Sequence, residues 1–154
     1  MRRQDREITE VAEIISIIDR CKVIRLAMID GDRPYLVPLN FGYSYTDKTF
    51  TFYCHSAPEG RKLDVLRENP AVFFEMDTDH ALVSHEIACS HSYRFSSVMG
   101  DGRVRFLEGE EKVGALEAIM IHQTGRKFDI APEAAAGVAV FAVEVSSLSA
   151  KAKK

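Results

Sequence analysis

The segment Phe52–Lys62, with the sequence FYCHSAPEGRK, shows most clearly how this chain is built. Its alternating start predicts a β-strand that ends at Cys54 or His55. A short turn follows, and the pattern predicts a helix over Glu59–Asn69, which Asn69-Pro70 stops. Backbone N–H groups at the start of such a helix have no intrahelical partner, so they can face an anion.

Two cations follow one another in the first turn of this predicted helix. Arg61 and Lys62 stand where the helix dipole disfavours positive charge. A bound anion between them would offset that cost, and the hydroxyl of Ser56 could add a donor. The segment therefore predicts a phosphate site, with a solvated basic turn of a surface helix as the alternative.

Hydrophobic periodicity outward from this segment predicts short helices and six strands. Helices are predicted over 10–21 and 110–123, and strands over 23–29, 34–45, 49–54, 71–76, 92–107 and 137–145. Residues 78–91 are predicted as a loop, the tail 151–154 as frayed, and Gly100 with Gly102 as a bulge or bend. Short turns between successive strands indicate antiparallel pairing. We therefore predict a mainly β barrel with short helices, in a single domain over residues 1–154.

Three segments carry a family resemblance that covers nearly the whole chain. Arg25–Tyr43 (RLAMIDGDRPYLVPLNFGY), Phe52–Asp77 and Ser92–Gly109 (SYRFSSVMGDGRVRFLEG) resemble the pyridoxamine 5′-phosphate oxidase-like, FMN-binding split-barrel superfamily, and within it the 5-nitroimidazole resistance branch. The resemblance implies a six-stranded antiparallel split barrel that holds FMN at the interface of a homodimer. It also implies an FMN-dependent oxidoreductase acting on a small planar substrate, such as a nitro-aromatic compound.

The resemblance further assigns individual residues to the cofactor. It places Val37, Pro38, Leu39 and Asn40 along the isoalloxazine, and His55, Ser56 and Ala57 on the ribityl side of the flavin. It places Arg61 and Lys62 on the phosphate. Ser96, Ser97 and Val98 of the second subunit would approach the same flavin. His55 is the candidate catalytic residue. The C-terminal sequence VFAVEVSSLSAKAKK lacks the basic and aromatic set with which the family oxidase binds pyridoxamine phosphate, so that reaction is not expected.

Two other functions fit the same residues. One is a haem-binding split barrel with His55 as axial ligand, which a Soret band would reveal. The other is a non-catalytic flavin-binding or structural dimer. The residues do not separate FMN from a deazaflavin, and they name neither the physiological substrate nor the electron donor.

Composition and residue spacing exclude several other classes of protein. The chain has 154 residues and a formal charge of −3, which gives no general attraction to nucleic acid or anionic membranes. No apolar run approaches the roughly 18 residues of a membrane span, and the charged N-terminus lacks a signal-peptide core, so cytoplasm is the expected compartment. His80, His85, Cys89 and His91 follow no common zinc spacing, so we predict no metal site.

Overall fold

The computed structural model describes residues 3–153 and consists mainly of long β-strands. The strands are β1 (Glu7–Ile8), β2 (Ile24–Asp30), β3 (Arg33–Leu39), β4 (Phe41–Thr46), β5 (Thr49–Ser56), β6 (Ala71–Val83), β7 (Ser92–Phe106) and β8 (Ala139–Lys153). The helices are α1 (Val11–Arg20), α2 (Arg61–Glu68), α3 (Gly109–Thr124) and the short α4 (Pro132–Ala135), with 3₁₀ turns at Gln4–Arg6 and Ala88–Ser90.

The strands form one antiparallel sheet in the order β3-β2-β6-β7-β8-β5-β4, and β1 pairs with β8. Strands β3 and β4 lie at the two ends of this order, so the sheet curls without closing. The predicted antiparallel split barrel is therefore confirmed. The predicted count of six strands is wrong, because residues 34–45 divide at Asn40 into β3 and β4, and Glu7–Ile8 adds β1.

The core lies inside the curl of the sheet and is rich in phenylalanine. Phe41 and Phe52 are fully buried with their rings edge to face, 5.7 Å between centroids, and Phe74 packs 5.0 Å from Phe52. Helix α1 adds Ile14 and its buried isoleucine neighbours to the same core. Truncating a buried phenylalanine typically costs about 3–5 kcal/mol, so each ring of this cluster is expected to contribute substantially to the stability of the barrel.

Strands β6 and β8 extend well beyond the ends that the sequence pattern predicts. Residues 78–83, predicted as part of a loop, continue β6 past a bulge between Thr78 and Ala81, where Asp79 adopts φ 61°. The predicted frayed tail is also wrong up to residue 153, because β8 runs to Lys153 between β1 and β7. Residue 154 lies outside the described residues. Backbone pairing on both sides of β8 orders a polar sequence that has no strong hydrophobic alternation of its own.

Two glycines allow close approaches between backbones. At Gly100 an added Cβ would lie 1.9 Å from the Ser147 carbonyl oxygen, next to the register shift at Asp101/Gly102, which agrees with the predicted bend. At Gly42 it would lie 2.4 Å from the backbone of α3, which crosses β4 there. Within residues 3–153, the helices are too short or too polar to cross a membrane.

Candidate functional site

The loop between β5 and α2 follows a buried serine and ends with a glycine at positive φ. The Ser56 hydroxyl donates to the Ala57 carbonyl oxygen at 2.8 Å, so its proton is engaged by the backbone. Gly60 adopts φ 136° and ψ 160°, a conformation that side chains disfavour, and its carbonyl accepts the first helical bond from Leu63. The observed helix starts at Arg61, which places both predicted cations in its first turn.

Arg61 is held by the hairpin between β2 and β3. Its Nε and Nη2 donate to Asp30 Oδ2 at 2.7 and 2.6 Å, and its guanidinium carbon lies 4.5 Å from the centre of the Tyr35 ring. Its side chain remains 63% exposed. The start of α2 is therefore tied to the strand β3 that the resemblance assigns to the isoalloxazine.

Lys62 is the less restrained cation of the pair. It is half-buried and has no hydrogen-bond or ion-pair partner within residues 3–153. Its charge acts on the thiol of Cys54, where burial raises the pKa to about 12 and Lys62 partly offsets the rise. An ammonium group without a carboxylate partner beside a helix start is suited to bind an anion.

Strand β3 has a sheltered face and an exposed face. Val37 and Leu39 are half-buried and pack against the core, whereas Pro38 is exposed on the opposite face. Asn40 donates from Nδ2 to the Lys22 carbonyl and to Gln123 Oε1, at 3.1 and 3.3 Å. Because β3 is an end strand, its outer backbone edge is available to a ligand.

His55 lies at the exposed end of β5. It is opposite Val140 of β8 in the register, and its imidazole has no hydrogen-bond partner among the described residues. Ala57, two residues further, is also exposed. His55 is therefore accessible to a ligand at the same strand end as Ser56.

The three residues predicted on β7 point in alternate directions. Val98 is fully buried in the core, and Ser96 lies on the same face. Hydrogen bonds from Arg20 and then from Ser96 lower the pKa of the Asp79 carboxyl. Ser97 faces the other side, and its buried hydroxyl oxygen lacks a hydrogen-bond partner within residues 3–153. Three strand steps, roughly 14 Å, separate the strands of Ser97 and Pro38, so one protomer does not bring these groups together.

The side of the sheet that carries Pro38 and Ser97, which we call the outer face, also holds a charge cluster. Arg25 donates to Glu75 at 3.0 Å and to Asp77 at 2.7 Å, and His80 Nε2 lies 2.8 Å from Asp77. Burial, followed by repulsion from Asp77, raises the pKa of Glu75. The sequence analysis missed this cluster, although the alternation of Glu75 and Asp77 on one strand was an available signal.

Exposed apolar side chains surround the charge cluster on the outer face. Leu36 is 55% exposed, Ile29 is 51% exposed and Phe73 is 43% exposed. They lie on neighbouring strands, because Ala27 pairs with Leu36 on one side and with Phe73 on the other. The outer face thus combines apolar area with charged groups.

A buried histidine that the sequence analysis also missed lies in the last turn of α3, on the buried side of the helix. His122 Nε2 donates to the Cys21 carbonyl oxygen at 2.8 Å, and its ring packs 4.4 Å from that of Phe41. Burial lowers the pKa of His122 and favours the neutral ring. Within residues 3–153, no cluster of three or more His, Cys, Asp or Glu side chains has the arrangement of a metal site.

Comparison with protein families gives one extended match. The model of the family described as Pyridoxamine 5′-phosphate oxidase matches residues 10–152. No curated protein sequence shows significant similarity to this chain.

Solved structures provide close relatives in fold. A candidate 5-nitroimidazole antibiotic resistance protein from Bacteroides thetaiotaomicron is 36% identical, with a TM-score of 0.81 over 96% of this chain and 90% of that one. The FAD and heme binding protein from Mycobacterium smegmatis is 16% identical, with a TM-score of 0.82 over 97% of this chain and 74% of its own. The flavocytochrome Anf3 from Azotobacter vinelandii is 18% identical, with a TM-score of 0.78 over 100% and 72%. At these lower identities the last two show a shared fold alone.

Proposed function

The chain belongs to the pyridoxamine 5′-phosphate oxidase family, and we propose that it binds a flavin through the FMN moiety and acts as an oxidoreductase on a small planar substrate. Its 36% identity to a candidate 5-nitroimidazole resistance protein supports a nitro-aromatic compound as the substrate class. A bound flavin would supply the redox chemistry, and the protein would supply binding, orientation and proton exchange.

The observation that carries the proposal is the contact of Arg61 with Asp30 and Tyr35. It joins the basic start of α2 to strand β3, so one flavin can lie with its phosphate at α2 and its ring along β3. The donors present fit a phosphate. The Nη1 hydrogens of Arg61 are not used by Asp30, and Lys62 has no partner within residues 3–153. In this arrangement the exposed His55 imidazole is accessible to a substrate as a proton donor or acceptor.

We further propose that the protein forms a homodimer through the outer face. Exposed Leu36, Ile29 and Phe73 provide an apolar patch of the kind that marks an interface. The buried, unpartnered hydroxyl of Ser97 on the same face would find a partner in a bound flavin or in the second subunit. A two-fold interface would bring the β7 of one subunit towards the β3 of the other, as the family resemblance implies.

Flavin binding is tested by titrating the apoprotein with FMN. Each charge-assisted hydrogen bond contributes about 1.5–3 kcal/mol, so the double variant Arg61→Ala, Lys62→Ala is expected to bind FMN at least about 100-fold more weakly. The chain offers a matched control in Arg126 and Lys127, which also follow a glycine at a helix end. The control double alanine variant is expected to bind FMN as the parent does. Parent-like affinity in the Arg61/Lys62 variant would refute the anchor, and a Soret band in the purified protein would favour haem instead.

Catalysis is tested separately from binding. Reduction of a nitroimidazole by the flavin-loaded protein, with a chemical or nicotinamide reductant, would support the oxidoreductase proposal. His55→Ala is expected to change turnover or the flavin spectrum while leaving the protein folded. Tight FMN binding with no turnover under any donor would favour the non-catalytic dimer.

The dimer is tested by sedimentation at micromolar concentration. Phe73→Asp is expected to produce monomers and to weaken FMN binding, because the interface would complete the site. Ile121→Asp, which changes a similarly exposed apolar residue on α3, serves as the control. A wild-type monomer that binds FMN tightly would overturn the homodimer.

A further inference from the structure

A cavity lies where the C-terminal ends of α1 and α3 meet the end strand β4. It is lined by Asp19 of α1, by residues 43–45 of β4, and by Ala118, Ile121 and His122 of α3. Its volume of about 380 Å³ is within the range of about 300–1,000 Å³ that is typical of small-molecule sites. None of the residues assigned to the flavin lines this cavity.

The lining carries one negative charge and no positive charge. The Tyr43 hydroxyl donates to Asp19 Oδ1 at 2.7 Å, and Oδ2 of the same carboxylate has no hydrogen-bond partner within residues 3–153. His122 donates from Nε2 to the Cys21 carbonyl, and burial favours its neutral ring, so Nδ1 keeps a lone pair without a partner in the described part of the chain. The cavity therefore offers two acceptors, one of them charged, to a ligand that donates.

Two tyrosine rings stand beside these acceptors. Tyr45 packs on Phe50 with 4.5 Å between ring centroids, and Tyr43 packs on Phe50 at 6.3 Å and edge-on against His122 at 5.6 Å. Burial, followed by the hydrogen bond to Asp19, raises the pKa of Tyr43, so its phenol stays protonated. Aromatic faces next to a carboxylate attract an organic cation through the ring quadrupole as well as through the opposite charge.

The end of α3 that forms one wall is fixed to the sheet. Gln123 donates from Nε2 to the Phe41 carbonyl at 2.8 Å, and the helix backbone passes directly over Gly42. Lys22 lies close by, but its ammonium donates to the main-chain carbonyls of His122 and Asp19 at 2.6 and 3.2 Å and its side chain is not part of the lining. The walls are thus held in place before a ligand arrives, which lowers the entropy cost of binding.

We propose that this cavity binds an organic ammonium ion, a small primary amine that carries an apolar or aromatic body. The ammonium donates to Asp19 Oδ2 and to His122 Nδ1, and its charge lies against the rings of Tyr43 and Tyr45. The body of the ligand packs on the apolar wall that Ala118 and Ile121 provide. This site goes beyond the proposed flavin function and does not depend on it.

The test is calorimetric titration of the purified full-length protein at neutral pH with 2-phenylethylamine, an ammonium ion, and with 2-phenylethanol, its uncharged analogue of similar shape. We expect the amine to bind at least about tenfold more tightly, the factor that one charge-assisted hydrogen bond supplies. Asp19→Asn keeps an acceptor for Tyr43 and removes the charge, so it should weaken amine binding about tenfold and change alcohol binding by less than about twofold. Asp32→Asn, which removes the same charge from a side chain that is 95% exposed in the β2–β3 turn, is the matched control and should bind the amine as the parent does.

A second variant and a second readout locate the ligand. Tyr45→Leu removes one aromatic face and should weaken amine binding at least about threefold. In NMR spectra the amine should shift the amide signals of Ala118 and Ile121, and saturating FMN should leave its affinity within about twofold.

Each contrary result overturns the proposal. Absence of amine binding, equal affinity for the amine and the alcohol, or unchanged affinity in Asp19→Asn would each do so. Competition between the amine and FMN, or amide shifts confined to α2 and β3, would place the amine at the flavin site instead. A protein that binds the amine in this cavity but binds no FMN would contradict the proposed function and leave this inference standing.

Discussion

The Arg61 guanidinium binds the Asp30 carboxylate and would also bind an anion at the start of α2, so the two negative groups would repel each other. We therefore expect the Asp30→Asn variant to bind FMN more tightly than the parent. Asp30 Oδ2 now accepts from both Nε and Nη2 of Arg61. Asparagine keeps an oxygen that can accept one of these bonds and orient the guanidinium, but it removes the negative charge. The substitution therefore separates the charge of Asp30 from its positioning role.

The size of the effect follows from Coulomb's law. An anion on the opposite side of the guanidinium would lie about 6.5 Å from the Asp30 carboxylate, a distance at which two unit charges in water interact by about 0.6 kcal/mol. A phosphate carries about −1.5 to −2 charges, so the repulsion removed is about 1 kcal/mol, or about fivefold in Kd. Both side chains of the ion pair contact solvent, so its loss should change the free energy of unfolding by less than about 1 kcal/mol.

The assay is fluorescence titration of the parent and Asp30→Asn apoproteins with FMN and with riboflavin, which lacks the phosphate. The gain is expected for FMN alone, and it should shrink at high salt because the charges are screened. Equal effects on FMN and riboflavin would refute the reasoning, as would a gain that does not depend on salt. Weaker FMN binding in Asp30→Asn would mean that orientation of Arg61 outweighs repulsion.

Three further outcomes follow from burial and packing. Cys89 is exposed, whereas burial raises the pKa of Cys54 to about 12, so a thiol reagent at neutral pH should label Cys89 in the native protein and Cys54 only after unfolding; native labelling of Cys54 would contradict this. Burial lowers the pKa of His122, so the unfolded state binds more protons and the free energy of unfolding should decrease as the pH drops below about 6.5. In denaturation experiments from pH 8 to 5, the free energy of unfolding should decrease less in the His122→Gln variant than in the parent. The same dependence on pH in both proteins would count against a contribution from His122. Gly100→Ala forces a Cβ to within 1.9 Å of a carbonyl oxygen of β8 and should lower Tm by about 10 °C, whereas Gly114→Ala on α3 meets no atom within 4 Å and should not; similar Tm values for the two variants would disprove the packing argument.

The local part of the candidate site was predictable because its signals are local. The glycine before Arg61 and the Asn69-Pro70 stop lie within a few residues of the helix ends that they specify, and the observed helix spans Arg61–Glu68. The strand that precedes it ends at Ser56, one or two residues after the predicted end at Cys54 or His55. Neighbouring residues specify the local structure here, so the prediction needed no knowledge of the fold.

The contacts of the same residues were not predictable from such signals. Arg61 donates a hydrogen bond to Asp30, which is 31 residues away in the chain, only because the barrel brings β2 and α2 together. The alternation that turns Ser97 away from Ser96 and Val98 depends on which face of β7 the core covers. Its register with β6 and β8 sets that face, and register is a property of paired strands.

The sequence by itself determined the antiparallel mainly β class, the strand–turn–helix unit around Gly60 and the adjacent cations, because periodicity, turn residues and stop signals act over a few residues. The tertiary structure decided the division of residues 34–45 into two strands and the extension of β8 to Lys153. These features depend on pairing and packing between segments far apart in the chain. No local pattern encodes them, because their free energy is gained only when the distant surfaces meet.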